Sequence, residues 1–269
     1  MASATATVRH PKGPAEPAAS PDAGTFLREA LDSSVGAKVL VGLTGAGLVL
    51  FVLFHMIGNL KLLQGPEAIN GYAYFLKHDL GALIWIARAS LLFIFVLHLS
   101  LAIRLKLRSV AARPIPYAFP GSAQASVASQ TMIWTGVVIL LFTLFHLAHY
   151  TFGWVKGAEV IDPTTGHLVW KNYLNLTDAK GHHDVYEMMV AGFSNVYLAI
   201  LYLIAQIVLF VHLRHGIPSA FQTLGLKNAR FRGPIDVLGL ILALVILVGN
   251  CAIVLAVKFE FVQAQYKGF

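Results

Sequence analysis

One cysteine, Cys251, stands in the whole chain of 269 residues, and charge of either sign is scarce, with Asp and Glu totalling 13 and all charged residues 12%. A single cysteine excludes an internal disulfide, an iron–sulfur cluster held by cysteines, and the C-x-x-C-H attachment of a c-type haem. Cys251 lies in an apolar run, where its expected role is small apolar packing. A soluble domain of this length needs far more charge to cover its surface. With 57% hydrophobic residues and a mean hydropathy of +0.69, the chain is expected to be an integral membrane protein. No Gly-Xaa-Gly pattern sits between a strand and a helix, so no nucleotide fingerprint is present. An apolar block is also missing from residues 1–24, and a cleaved signal peptide is not expected there. Those residues are rich in Ala, Pro, Ser and Thr. They read as a disordered N-terminal tail, because they cannot bury enough surface to offset their ordering entropy.

What the chain has is apolar length. Five runs, about 39–62, 81–105, 128–152, 190–213 and 235–257, are each long enough to cross a bilayer as a helix that satisfies its own backbone hydrogen bonds. The expected fold is all-α, an integral membrane bundle of five transmembrane helices within residues 25–260. Basic residues set the orientation. Arg9, Lys12, Arg28 and Lys38 precede the first run, Arg104, Lys106, Arg108 and Arg113 follow the second, and Arg214, Lys227, Arg230 and Arg232 follow the fourth. All three groups fall on one side of a five-span chain, whereas acidic residues balance the lysines of the 153–189 connection. The N-terminus is therefore expected in the cytoplasm and the C-terminus outside. The net charge of +7 is spread beside apolar runs, a pattern of membrane topology rather than nucleic-acid binding. Residues 26–35 suit a short amphipathic surface helix with Arg28, Glu29 and Asp32 on its wet side. In the long outer connection, Asp162-Pro163-Thr164-Thr165-Gly166 is a turn signal that two outward strands could flank. His182 and His183, in the same connection, are expected on solvated surface.

Each of the first four runs carries a histidine: His55, His98 and His146 past the middle of theirs, and His212 near the end of its own. A polar ring in hydrocarbon is costly and points to function. Successive spans alternate in direction, so position along a run converts to depth. His55 and His146 fall in the outer half and His98 and His212 in the inner half, each roughly 7–15 Å from the midplane at the helical rise per residue. Two pairs at two depths are what two stacked haems with two axial imidazoles each require. His55 and His146 would ligate the outer haem iron, and His98 and His212 the inner. A proton relay is the main competing reading, set back by the absence of Asp and Glu from the apolar interiors of the first four runs. Histidines simply bonded to backbone carbonyls are the other. His149 and His215 stand three residues beyond His146 and His212 on nearly the same face. The deeper member of each pair is preferred, because His149 and His215 approach the wet interface and Gly216-Ile217-Pro218 marks the expected end of the fourth helix. Gly42, Gly45, Ala46 and Gly47 would admit a porphyrin edge or another helix. Arg88, the one charge in the second run apart from Arg104 at its end, could hold a haem propionate or reach to the surface.

The chain has no flavin, nicotinamide or cluster site, so electrons must arrive from a partner, and the inner haem is the natural entry. Basic inner loops would attract an acidic docking surface. The motifs FHMIGNL around His55, VLHLSL around His98, LFHLAHY around His146 and FVHLRHGI around His212, with a fifth run lacking histidine, are similar to one family. From about residue 33 to 258 the chain resembles the type B, dihaem cytochrome b membrane-anchor subunit of succinate:quinone oxidoreductases (succinate dehydrogenase and fumarate reductase). The resemblance implies a five-helix anchor in the bacterial cytoplasmic membrane that binds two haem b groups. It also implies a flavoprotein subunit holding FAD and an iron–sulfur subunit on the cytoplasmic face, electron exchange with a quinone (often menaquinone), and no dicarboxylate catalysis by this chain alone. A higher-order oligomer of the complex is compatible with it. The N-terminal tail and the long outer connection are not accounted for by the resemblance.

A quinone site needs a nearby haem and groups that trade protons with water. His78 and Asp79 at the outer mouth of the second run meet that need, a neighbouring carboxylate favouring protonated His78. Asp79 could instead cap the helix, and Ser33, Ser34 and Lys38 could line a site on the inner side. Two other classes stay open: a cytochrome b anchor of a hydrogenase or formate dehydrogenase, and a haem-free transporter or scaffold.

Overall fold

The computed structural model describes residue 24 and residues 31–112, 127–155, 157–161 and 165–264. The expected tail over 1–24, apart from residue 24, and residues 26–30 of the expected surface helix lie outside the described residues. The chain is mostly helical, with five helices long and apolar enough to cross a membrane.

Helix α1 (Ser34–Asn59) starts where the Ser33 hydroxyl accepts the Gly36 amide at 2.8 Å, a side-chain cap for an otherwise orphaned donor. It runs into a 3-10 turn, Leu60–Gln64, that ends at Gly65, whose φ of +96° redirects the chain into the short α2 (Pro66–Tyr74). A π turn, Phe75–Asp79, leads to α3 (Ala82–Ala111), and α4 (Val127–His146) ends in a second π turn, Leu147–Thr151. An antiparallel hairpin follows, β1 (Gly157–Ile161) with β2 (Leu168–Asn172), pairing Gly157 with Asn172 and Glu159 with Trp170. These are the two strands expected around the turn; residues 162–164 of the turn itself lie outside the described residues. Helices α5 (Val185–Ser194), α6 (Val196–Thr223) and α7 (Arg232–Lys258) complete the chain. The end of the bundle bearing the hairpin is called here the hairpin end, and the opposite end the far end.

Two boundaries differ from expectation. The fourth apolar run splits: residues 190–194 belong to α5, and α6 begins only after Asn195, which is extended and whose side chain accepts the amides of Tyr197 and Leu198 at 3.0 and 3.1 Å. At its other end α6 does not stop at Gly216-Ile217-Pro218 but runs on to Thr223. Pro218 forfeits one helical hydrogen bond. Its ring is buried against α7, where Gly239 makes room: a Cβ on Gly239 would lie 2.7 Å from Pro218 Cγ. Packing offsets the lost bond.

The largest apolar core sits at the hairpin end, where Leu62 and Ile69 pack with Met189, Val190 and Phe193 of α5 and with Ile253 and Val257 of α7. A second core joins α1, α6 and α7 through Leu213, Ile217, Ala243 and Ile246. Helix α1 packs on α3, α6 and α7, and α4 packs on α6. The close approach of α1 to α6 uses Gly42, whose added Cβ would meet Ala220. By contrast α3 buries only Leu101, and α4 buries no residue among those described. These two helices present apolar side chains such as Phe93, Val96, Trp134 and Leu141 outward.

At the far end the chain is tied across α3. Arg104 donates to the Leu31 carbonyl at 2.6 Å and to Asp32 Oδ1 at 2.8 Å, and Arg108 donates to the Asp32 carbonyl at 2.8 Å. Lys227 pairs with Asp236 at 2.6 Å. Three of the cations expected to attract a docking partner are thus engaged within the chain.

Candidate functional site

The site consists of two layers of histidines separated along the bundle. In the far layer, His98 of α3 reaches across to α1. The Thr44 hydroxyl donates to the Leu40 carbonyl at 2.6 Å, which leaves its oxygen to accept from His98 Nδ1 at 3.2 Å. The Val41 carbonyl, a pure acceptor, lies 3.2 Å from the same nitrogen. Both partners demand a proton on Nδ1, so His98 is the tautomer with a free lone pair on Nε2. His212 of α6 is seated on α4 in the same manner. The Thr135 hydroxyl donates back to Met132 at 3.0 Å and lies 3.0 Å from His212 Nδ1, again leaving Nε2 to bind outward. A glycine follows each threonine. A Cβ on Gly45 would come 3.1 Å from His98 Cε1, and one on Gly136 3.7 Å from His212 Cε1. Gly45 therefore serves a histidine ring, while Gly47 faces Ile94 and Gly42 faces Ala220.

In the layer nearer the hairpin end, His55 of α1 and His146 of α4 face each other with ring centroids 5.9 Å apart and planes at 87°. Phe51 stacks on His55 and Phe142 on His146, each one helical turn before its histidine. His146 Nδ1 meets the Tyr202 hydroxyl at 3.2 Å. His55 differs from the other three, because its Nε2 lies 3.1 Å from Asn59 Nδ2.

The two layers are built by a repeat that the sequence reading missed. Thr44 precedes His55 by eleven residues and Thr135 precedes His146 by eleven, each threonine followed by glycine. Eleven residues are three turns plus about 20°, so threonine and histidine share one face about 16 Å apart. Helices α1 and α4 therefore each carry a histidine in one layer and a seat for the next spanning helix's histidine in the other. Thr44 and Thr135 are the functional candidates that went unnoticed. The signal was the matched Thr-Gly and His spacing, legible without a structure.

The repeat also separates the adjacent histidines. His212 contacts the α4 seat, whereas His215 bonds Ser219 of its own helix at 3.1 Å. His146 faces His55, whereas His149 is fully buried beneath Tyr150, Tyr173 and Tyr202. The expectation that His149 is wetted is overturned: the segment after α4 folds back over it, placing the Tyr173 ring 5.6 Å away. Arg88 lies over the Trp85 ring at 4.9 Å. Ser33 caps α1.

The expected quinone residues lie at the hairpin end. His78 stacks on Tyr74 at 4.3 Å, and His182 covers the other face of that ring at 4.1 Å. His78, His182, His183 and Lys77 line a cavity of about 100 Å³. Asp79 closes the π turn and does not cap α3, whose N-cap is Gly81. A second cavity of about 160 Å³ lies between His55, Asn59, Tyr72 and Leu76.

His182 and His183 are not the open surface groups expected of them. His183 Nδ1 lies 3.1 Å from Lys77 Nζ, which only donates, and Nε2 lies 2.9 Å from the Tyr173 carbonyl, which only accepts. The ring is neutral with its proton on Nε2. Burial, with the Lys77 charge adding to it, holds its pKa below 6.5 against the opposite pull of the Tyr173 carbonyl and Asp184. The unfolded ring takes up a proton at a higher pH than the folded one. The contact therefore stabilises fully above pH 6.5 and weakens as pH falls through the folded pKa. Protection factors over residues 173–184, taken against intrinsic exchange at each pH, are expected to fall between pH 7.5 and pH 5, and the change to flatten in His183→Gln. An equal pH response in that variant would assign it to other groups.

No group of three or more His, Cys, Asp or Glu side chains among the described residues is placed to hold a bare metal ion. Paired imidazoles supply two ligands, the number an iron already held by a macrocycle requires. The His55 and His146 rings, facing each other with centroids 5.9 Å apart, would be the pair to hold such a group in their layer. Three of the four histidines hold Nδ1 to the protein, as metal-ligating histidines do. The donor set fits haem, with the Asn59–His55 contact the one that must yield. Comparison with protein-family models, with curated proteins and with solved structures finds no match to this chain.

Proposed function

We propose that the chain is a dihaem cytochrome b membrane subunit that passes electrons between a succinate dehydrogenase or fumarate reductase catalytic dimer and the membrane quinone pool. The observation that carries the dihaem part is the repeated Thr-Gly seat. It presents His98 and His212 as neutral imidazoles with Nε2 free, while His55 and His146 face each other one layer away. Bound haem would supply one-electron storage at each layer. His98 with His212 and His55 with His146 would hold the irons, and the sparsely buried α3 and α4 leave lateral room beside them. The resemblance of the four histidine motifs supports the succinate- or fumarate-linked partner and, with the basic loops, a far end facing the cytoplasm. At the hairpin end, the His78 and His182 rings on Tyr74 lie beside His183 and Lys77, a set able to exchange protons for a quinone near the His55 layer.

A second reading, an anchor for a different quinone-linked dehydrogenase, draws support from the engagement of Arg104, Arg108 and Lys227 within the chain, which reduces the free positive charge available for docking. Purification from native membranes tests both parts. The expected result is two protohaems per chain, low-spin in both redox states, with a flavoprotein and an iron–sulfur protein that together oxidise succinate or reduce fumarate. A colourless chain would overturn the dihaem reading. Hydrogenase or formate dehydrogenase subunits in their place would favour the second reading.

A further inference from the structure

Tyr202 belongs to neither layer, yet its hydroxyl lies 3.2 Å from His146 Nδ1 and 2.9 Å from His149 Nδ1. The residue is 5% exposed, and Phe142, Phe193 and Tyr150 pack on its ring at 5.0, 5.1 and 5.8 Å. The ring position is therefore set by packing, and the hydroxyl by the two histidines. A hydroxyl has one proton and two ring nitrogens face it. It can donate to one of them and must accept from the other. The two histidines thus hold opposite tautomers, one with its proton on Nδ1 and one with it on Nε2.

Resting on the dihaem reading, we infer that Tyr202 is a positioning residue for the haem of the His55–His146 layer, accepting from His146 Nδ1–H and donating to His149 Nδ1. A histidine bound to iron through Nε2 carries its proton on Nδ1, which needs an acceptor. Thr44 and Val41 serve His98 and Thr135 serves His212, so Tyr202 is the corresponding group for His146. It differs in one respect. The threonine seats pass their own protons back to helix carbonyls, whereas Tyr202 passes its proton to a buried imidazole. A donating Nδ1–H makes the imidazole a stronger base toward iron and favours the ferric state. Tyr202 accordingly lowers the potential of this haem, and His149 is its proton acceptor rather than a rival ligand.

Redox titration of purified Tyr202→Phe, beside Thr135→Val, tests the assignment. The aromatic variant keeps the ring packing and removes only the hydroxyl. One haem is expected to move to higher potential, by a roughly tenfold change in its ferrous to ferric ratio, about 59 mV for one electron, and the other to stay. Thr135→Val is expected to move the other haem alone. Should Tyr202→Phe lose a haem outright, His149→Phe decides. Retention of both haems with the same one raised in potential supports the inference, and loss of a haem or unchanged potentials overturns it. Two unmoved haems, or two moved together, in Tyr202→Phe also overturn it. A wild-type chain without two haems would instead remove the dihaem reading itself.

Discussion

His212→Ala is expected, under the proposed dihaem function, to lower the haem content of the purified chain from two per polypeptide to one. The His212 ring is seated on α4 by Thr135 at 3.0 Å, with Gly136 leaving space beside Cε1. No neighbour can replace it: His215, three residues on, is turned to Ser219 of its own helix. Removing His212 would leave an iron bound in that layer with His98 alone. His98 is itself held against α1 by Thr44 and Val41 and cannot move to make good the loss. The layer of His55 and His146 draws nothing from His212, so its haem should stay low-spin. His215→Ala should keep both haems. Extraction and quantification of haem from each variant reads the result directly. Two haems in His212→Ala would move the ligand assignment to His215 and sever the link between the Thr-Gly seat and the site.

Asn70→Ala should loosen the hairpin end without touching either histidine layer. Asn70 is 2% exposed and stands between α2 and α5. Its amide donates to Asp184 Oδ1 at 3.0 Å and its oxygen accepts the Tyr186 amide at 2.9 Å. Asp184 is 1% exposed and caps α5 by accepting the Glu187 amide at 3.0 Å. Truncation strands the buried Tyr186 amide and takes from the buried Asp184 carboxylate one of the two donors on its Oδ1, which together cost about 3 kcal/mol. That is a roughly 100-fold rise in the open population of the segment. Hydrogen exchange over residues 173–194 should accelerate by about that factor while the centres of α1 and α6 do not change. Uniform acceleration along the chain would mean that the segment and the bundle unfold as one unit.

The five long helices were legible because 20 or more apolar residues in water-soluble form are rare, and hydropathy reads length well. It reads breaks poorly. The stretch from Val190 through Leu213 is apolar enough on average to read as one run, so the boundary at Asn195 did not register, although an asparagine before a helical run is itself a capping signal. Pro218 misled in the opposite direction, because the partner that absorbs its ring, Gly239, is 21 residues away in sequence. The burial of His149 and the locked tautomer of His183 come from the segment after α4 folding over the bundle end. Depth along a helix cannot anticipate such tertiary cover. The alignment of His55 with His146 was readable from depth alone. The threonine seats were equally readable, from the eleven-residue spacing, and were passed over because threonine in an apolar helix ordinarily just bonds its own backbone.

That spacing has a consequence for energy conversion. Under the proposed function, an electron passing from one histidine layer to the other travels about 16 Å along the bundle, roughly half of a 30 Å hydrocarbon core. It therefore traverses about half of any transmembrane voltage. At 100 mV this adds or removes about 1.2 kcal/mol per electron, close to a tenfold bias in the equilibrium between the layers. A three-turn interval between a threonine and a histidine would thus make electron transfer through this chain sensitive to the state of charge of the membrane around it.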